Sequence, residues 1–593
     1  MQTSSGFQFS ERIRKVTYML GGYVLNTERS TIQHITNYSQ IDWDKIESYV
    51  MKLQQRIFLA EENQDVKKLK QLQKILINSK ANLLLSLKEA TKLNINRRSA
   101  GVDNYKSLTN KEFVDLYNDL LTYNINTIKP LFVQNIKKQQ SSKKLQSQQK
   151  SFIKDKVFQL IIKRALEPQW EAKFEPNVYG YRPGRSFRDA IGSIFNKVGP
   201  KKRRQWILKI NLSNDMSNLN VDFVDRLLDN FPYKHVIISW LRNNYMNIYE
   251  QSKYIYGLIH NILLHGIENL LGNRYNKKHV QVNDSPMMVR YENEIAVICF
   301  SKEEAKETNN KIIAFLTKRG LKEKSFSINH IEEGFDFHEF NIRLYEASKD
   351  IHSTQKKLLI KPSKKAISNV KQQIKNVFDK YKGQNVGFII KKLNPIIVGI
   401  SYRWRFVVAC NAYKTLDYYL DYKMYRYLRH LHPHKGWKWI KQTYYKQCIR
   451  HSVAYRICDP KDSTNTLCNF SAVSIKRHVL VTFKNSIFDR RLKDYWIKRK
   501  IIMFYLTNGD FKSKLAQRQK FTCPHCRKPI YDDEALEMNH IMPRKFGGED
   551  TYRNMQLMHI SCHIQHHKDY KTLEDYQRYE IEQKQWYDSL YND

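Results

Sequence analysis

Apolar residues recur at helical spacing early in the chain. Ile46, Val50, Leu53 and Ile57 fall on one stripe, and Leu69, Leu72, Ile75 and Leu76 on another. That three-to-four-residue period predicts amphipathic helices over residues 41–100, until Gly101-Val102-Asp103 breaks it. Residues 134–150, QNIKKQQSSKKLQSQQK, carry no apolar period and read as a solvated Gln/Lys/Ser loop. Shorter apolar runs at Trp206–Leu212, Met287–Arg290 and Ile295–Phe300 read as strands. Residues 393–432 return to helical spacing, with Leu416, Tyr419, Leu420, Met424, Tyr427, Leu428 and Leu431 on one side. After His567 the tail reads as one charged helix with Tyr and Trp along a side, suited to packing or capping.

Composition narrows the class. The 593 residues allow roughly three to five domains. The formal net charge is +43, from 101 Lys+Arg against 58 Asp+Glu. Such a surface repels itself unless a polyanion neutralises it, so nucleic acid is the expected partner. A membrane surface fits poorly, because no apolar run approaches the roughly 18–20 residues of a span and the basic residues are spread along the whole length. Cys299, Cys410, Cys448, Cys458 and Cys468 show no pairing pattern, which points to a reducing compartment. The first residues lack a secretory signal. Abundant Lys, Asn, Ile and Tyr beside scarce Gly and Pro suggest an AT-rich genome. A chloroplast comes before a mitochondrion on that reading, with a bacterial cytoplasm as the other setting. Oligomeric state is not legible.

The sharpest chemistry lies between Phe521 and His567. Cys523 and Cys526 make a C-x2-C knuckle, and His559 and Cys562 an H-x2-C pair further on. Four such ligands at this spacing predict a closed, tetrahedral Zn2+ site. Between the halves stand Asn539-His540, a Pro543/Gly547-Gly548 turn and Asn554, and His563 follows the last zinc ligand.

This arrangement resembles an HNH nuclease module, a strand hairpin and helix around one catalytic metal. The resemblance implies that His540 is the general base activating water. It implies that Asn539 and His563 hold Mg2+ or another divalent ion, and that Asn554 shapes the loop. Hydrolysis of a phosphodiester needs a base titrating near neutrality and a metal beside the leaving oxygen. The family usually has Asp or His where Asn539 stands, and an amide is the weaker ligand for a hard cation. Two readings therefore stay open: an active nuclease, or a zinc knuckle that only binds DNA. His566 and His567 are expected to face solvent.

A second resemblance covers roughly residues 40–450. RRSAGVD at 97–103 and RALEPQWEAKFEPNVYGYRPGRSFRDA at 164–190 resemble the fingers and palm entry of group II intron reverse transcriptases, or maturases. HNILLHGIENLL at 260–271, INHIEEGFDFHEFNIR at 328–343, LLIKPSKK at 358–365 and LNPIIVGISYRWRFVVA at 393–409 follow in family order. The last of these resembles the maturase thumb, domain X. The resemblance implies a multidomain α+β protein: RT-like fingers and palm, an α-helical thumb and a small ββα-metal HNH zinc domain. The expected divisions are 1–150 (N-terminal extension and fingers), 151–350 (degenerate palm), 351–450 (thumb), 451–510 (DNA-binding segment) and 511–593 (HNH domain).

A polymerase palm holds two Mg2+ ions about 3.5–4 Å apart on acidic side chains. At the matching positions Asn211 replaces the first Asp, Asn293 replaces another, and Glu294 is a methylene longer than the third. Glu292 stands beside them. The family's Pro-Gln-Gly segment is missing before Tyr256-Gly257. Asp215, Glu292 and Glu294 could rebuild the site only if Mg2+ tolerated ligands well away from its octahedral ideal, which it does not. What the resemblance implies instead is a protein that binds its group II intron RNA and promotes splicing without reverse transcription. Target DNA is a second partner if the HNH site cuts. The expected RNA contacts are Arg182 and Arg185 on the GYRPG turn, Lys201, Lys202, Arg203, Arg204, Lys356, Lys357, Lys361, Lys364 and Lys365. In the thumb they are Arg403, Trp404, Arg405, Tyr413 and Lys423.

Overall fold

The computed structural model describes residues 41–92, 110–122, 153–242, 249–276, 281–346, 356–447, 455–531 and 536–592. The motif at 97–103, the tract at 134–150 and Cys448 lie outside the described residues. The predicted N-terminal stripes form helices α1 (Trp43–Glu62), α2 (Val66–Ile77) and α3 (Lys80–Lys92). Asp42 and Asp65 cap the first two by accepting from the Lys45 and Lys68 amides, which satisfies donors a helix start leaves open. These helices pack on α4 (Ile153–Lys173), which in turn packs on α6 (Tyr249–Leu263), with α5 (Phe187–Lys197) between the two in sequence.

Their core continues onto one face of the central sheet. That sheet comprises β1 (Trp206–Leu212), β2 (Met287–Tyr291), β3 (Glu294–Cys299) and β4 (Glu323–His330), in the order β2-β3-β1-β4, antiparallel throughout. Alternation sorts the side chains. Leu208, Ile210 and Leu212 of β1 join the helical core, while Ile207 joins a second core beneath the other face. Lys209 and Asn211 share the Ile207 face and are half-buried there.

A second sheet, β5 (Phe335–Phe337), β6 (Phe340–Glu346) and β7 (Lys356–Pro362), leads into the thumb. The thumb comprises α7 (Lys364–Lys380), α8 (Val386–Trp404) and α9 (Cys410–Leu431), followed by α10 (Trp437–Tyr444). Ser363 and Asn385 cap α7 and α8. The stripe expected over 393–432 divides between α8 and α9, and Leu416, Leu420, Met424, Tyr427 and Leu428 are buried on α9.

The core does not divide at residue 450. Strands β8 (Tyr445–Gln447), β9 (Tyr455–Asp459) and β10 (Asp462–Thr466) form a small sheet against the thumb, and Ile457, Leu467 and Phe470 belong to the thumb core. Asp417 of α9 accepts from the Phe470 and Ser471 amides at 2.7 and 3.1 Å. Residues 474–500 then run back over the palm. Buried Asp189 of α5 accepts from His478, the Val481 amide and Arg499 at 3.0, 2.9 and 2.8 Å. Helix α11 (Lys493–Thr507) and α12 (Asp510–Arg518) carry the chain into the last unit.

There β11 (Leu536–His540) pairs antiparallel with β12 (Met555–His559), and α13 (Ile560–Asp569) and α14 (Leu573–Asn592) follow. The core of this unit includes Phe504 and Leu515 from α11 and α12. Helix α14 caps it as expected: Tyr579 is buried and its hydroxyl accepts from Gln556 at 2.9 Å.

Candidate metal centres and nucleic-acid surfaces

The four predicted zinc ligands converge. Ligand atoms of Cys523, Cys526, His559 and Cys562 all lie within 4.8 Å of one another. Cys523 and Cys526 come from the knuckle, His559 ends β12 and Cys562 sits in the first turn of α13. The Nδ1 of His559 faces Cys526 Sγ at 3.4 Å, and its Nε2 lies 3.2 Å from the Pro529 carbonyl oxygen. That carbonyl only accepts, so Nε2 carries the proton and Nδ1 presents its lone pair to the cluster. Three sulfurs and one imidazole held this way fit a tetrahedral structural metal such as Zn2+.

Asn554 ties together the loop between the strands. Its amide donates to the Met542 and Glu549 carbonyls at 2.9 and 2.8 Å, and its oxygen accepts from the Met542 amide at 2.8 Å. Gly548 packs so closely that a Cβ there would fall 1.8 Å from the Met542 carbonyl oxygen. The loop thus places His540 at the end of β11, where its Nε2 bonds Asp550 Oδ1 at 2.7 Å. Arg544 and His540 together hold the Asp550 carboxyl down at about 2. Asp550 fixes the tautomer of His540, with Nε2 carrying the hydrogen and Nδ1 the lone pair.

His563 meets Glu537 and His567. Its Nδ1 lies 3.2 Å from Glu537 Oε2, and its Nε2 lies 3.1 Å from the Nε2 of His567. Glu537 fixes the Nδ1 proton on His563, and the Tyr576 hydroxyl sits 3.1 Å from Nδ1 of His567. Two ring nitrogens are thereby turned toward the same point, which suits a shared cation. Asn539 lies on the Glu537 face of β11; its side chain is buried and the nitrogen has no hydrogen-bond partner. The two imidazoles suit a divalent ion, and Asn539 could join them only through its side-chain oxygen, because the unpartnered atom is an N–H donor. His540 with Asp550 and His563 with His567 remain two pairs: among the described residues, only the Cys/His set gathers three or more ligand atoms within 4.8 Å.

One expectation for this region is corrected: His566 is fully buried among Tyr570, Tyr576 and Tyr579, whereas His567 is exposed, as expected, while touching His563 and Tyr576. Sequence reasoning missed Glu537, Asp550 and His567. The signal for His567 was its i, i+4 spacing from His563, which puts both rings on one helical face. No comparable signal marks Asp550, which meets His540 across a loop.

The palm positions are paired otherwise than in a two-metal site. Asn211 lies opposite Glu294 across β1 and β3 and donates to Ser325 Oγ at 2.8 Å. Glu294 Oε2 lies 3.2 Å from Lys209 Nζ and accepts from the His338 amide at 2.9 Å. An ammonium thus neutralises the carboxylate that stands opposite Asn211. Glu292 takes φ 50° in the tight turn between β2 and β3, against which Gly180 packs. Asn293 bonds Asn214. Asp215 turns away to cap its own loop, accepting from the Ser217 amide at 2.9 Å.

Several expected RNA contacts are structural instead. Arg182 is buried and makes a bidentate pair with Glu171 at 2.8 and 2.9 Å. Arg185 is buried too, donating to the carbonyls of Pro176 and Phe483, the latter in the returning strap. Arg405 donates to the Ser474 and Leu506 carbonyls. Trp404 and Tyr413 are core residues. A guanidinium buried and bonded to carbonyls or a carboxylate inside the protein does not reach a phosphate at the surface. Arg403 is half-buried on Glu339 at 2.7 Å, and Arg204 stacks on Phe300 at 4.2 Å while bonding the Ser285 carbonyl. Lys201, Lys202, Arg203, Lys357, Lys364 and Lys365 are exposed. So is Lys356, which pairs with Glu332. Lys361 lies over the Tyr345 ring at 3.6 Å.

Known proteins match the same three regions. Residues 38–120 match the N-terminal domain of reverse transcriptase, residues 367–445 the group II intron maturase-specific domain, and residues 523–569 the HNH endonuclease family. The chain therefore carries a segment similar to the reverse-transcriptase N-terminal domain, a segment similar to the group II intron maturase-specific domain, and an HNH-like segment, in that order. It is similar to Maturase-like protein 1 of Euglena gracilis, 28% identical over 406 residues, covering 66% of this chain and 81% of that relative. It is likewise similar to Maturase-like protein 1 of Euglena longa, 29% identical over 385 residues, covering 61% and 77%.

Proposed function

We propose that this protein binds the RNA of a group II intron and promotes its splicing, with reverse transcription lost. The observation that carries the reading is the pairing of a strongly basic frame and thumb with a palm in which Asn211 and Asn293 stand at metal-binding positions and Glu294 is neutralised by Lys209. The RNA supplies the cutting and joining chemistry. The protein has only to bind the folded intron more tightly than its unfolded states, which raises the folded fraction by mass action. Splicing of the cognate intron at low Mg2+, with and without protein, tests it; equal rates would refute it. The relatives' source fits an organelle of AT-rich genome. No described helix is long and apolar enough to cross a membrane.

The convergence of His563 and His567 favours a second activity alongside the first: nicking of a DNA strand. Zn2+ would be held by Cys523, Cys526, His559 and Cys562. A second divalent ion, Mg2+ or another, would be held by His563, His567 and Asn539, where it would stabilise charge on the leaving oxygen. His540, oriented by Asp550, would take the proton of the attacking water. Nicking that vanishes in His540→Ala supports this activity; a silent parent that Asn539→Asp revives would make the module a relic.

A further inference from the structure

Helix α9 buries one side in the thumb and leaves a different kind of stripe on the other. Tyr418, Tyr422 and Tyr425 stand at i, i+4 and i+7, with Arg429 completing the line, so all four share one face. The tyrosines are 78%, 48% and 37% exposed. Trp437 of α10, 44% exposed, packs edge-on against Tyr425 at 5.0 Å and extends the surface. Large aromatic rings are rarely left in water in such a row without a partner.

Charge identifies the partner. Between Cys410 and Tyr445 the chain carries seven Lys and Arg against two Asp. One of the two, Asp417, is tied to the Phe470 and Ser471 amides; the other, Asp421, lies at the edge of the stripe. Arg426 sits over the Tyr422 ring at 5.9 Å and Lys435 over Trp439 at 5.5 Å. An acidic or apolar protein surface would match the rings or the charges. Flat rings interleaved with cations match a chain of bases on phosphates, in which each base offers a π face and each linkage a charge. Paired RNA hides its base faces and presents mainly phosphates and 2′-hydroxyls.

We propose that the face formed by Tyr418, Tyr422, Tyr425 and Arg429 with Trp437 is a stacking platform for unpaired RNA nucleotides. It rests on the RNA-binding reading above and specifies which RNA the thumb takes: splayed, single-stranded segments rather than helices. The stripe is built on a rigid helix whose other side is core, so its ring spacing is set before RNA arrives.

The test uses the full chain, a labelled twelve-nucleotide oligouridylate and a twelve-base-pair RNA duplex. Binding is measured at 0.3 M salt, where phosphate contacts are screened and stacking persists. Tyr418→Ala/Tyr422→Ala/Trp437→Ala should lose about tenfold or more in affinity for the single strand, and less than about threefold for the duplex. Tyr418→Phe/Tyr422→Phe/Trp437→Phe should bind like the parent. Equal losses on both probes would make the face a plain electrostatic surface and overturn the proposal. Unchanged binding would also overturn it and leave the face to a protein partner. A loss in the Phe variant as deep as in the Ala variant would refute stacking. The assay needs no intron, so its failure is distinguishable from failure of the splicing test.

Discussion

Arg182 separates a contact expected from sequence from one made by the fold. Its guanidinium donates to both Glu171 oxygens at 2.8 and 2.9 Å, and to the Glu175 and Val178 carbonyls at 2.9 and 3.1 Å. Both side chains of the ion pair are essentially without solvent contact. Arg182→Met would strand the Glu171 carboxylate beside Phe174 in the core, at a cost of about 3–5 kcal/mol. Glu171→Met would strand the guanidinium at similar cost. The double variant removes both charges and leaves only two carbonyls short of a donor, about 1–2 kcal/mol. The coupling between the two sites should therefore exceed about 2 kcal/mol. Urea unfolding followed by tryptophan emission measures it, and a basic-surface RNA assay runs alongside. If Arg182→Met unfolds where the parent does but loses RNA affinity, with the salt slope falling by about one, Arg182 is a phosphate ligand and the structural argument fails.

Four further outcomes follow from the same geometry. Chelation should release zinc and lower the unfolding temperature of the parent, and Cys526→Ser should purify without that zinc; metal analysis with circular dichroism reads both. His567→Ala should depress divalent-ion binding and any nicking as far as His563→Ala does, whereas a benign His567→Ala in calorimetric titration would sever it from the site. Burial alone would raise the carboxyl of Asp189, but His478, Arg499 and the Val481 amide outweigh it and hold it at about 2 against 3.8. A depressed acid stabilises the fold above its unfolded value and loses that contribution as pH falls through the folded one, so the 474–500 strap should loosen between about pH 4 and 2; Asp189→Asn should remove about 2 kcal/mol at neutral pH and flatten that window. Asn211→Asp/Asn293→Asp should give no primer extension while Lys209 remains, and a signal from it would refute the palm assignment.

Much of this was legible from residue order, for identifiable reasons. The zinc set is a local spacing problem: two short motifs must fall at two strand or helix ends, and Cys523, Cys526, His559 and Cys562 do. The stripes of α1, α2 and α9 are periodic and therefore readable. Exposure is not periodic. Nothing in GYRPGR tells Arg182, which turns inward to Glu171, from a guanidinium that faces RNA, because the acid lies in another helix and the Phe483 carbonyl that holds Arg185 lies some 300 residues away. Tyr413 and Trp404 failed for the same reason, and Tyr418 and Tyr422 succeed as surface residues only once the other side of α9 is seen to be core. Asp550 and Glu537 are ordinary acids in sequence; the fold of the loop after β11 and the packing of α13 on that strand make them partners of histidines.

Lys209 has a consequence for how this molecule can be studied. In a polymerase the cation on that face comes from solution, so the shape of the groove follows the concentration of free metal. Here the cation is encoded in the chain and arrives with it at every dilution. Magnesium can therefore be titrated down to the point where an intron loses its fold without loosening this part of the protein, and what fails first in such an experiment will be the RNA.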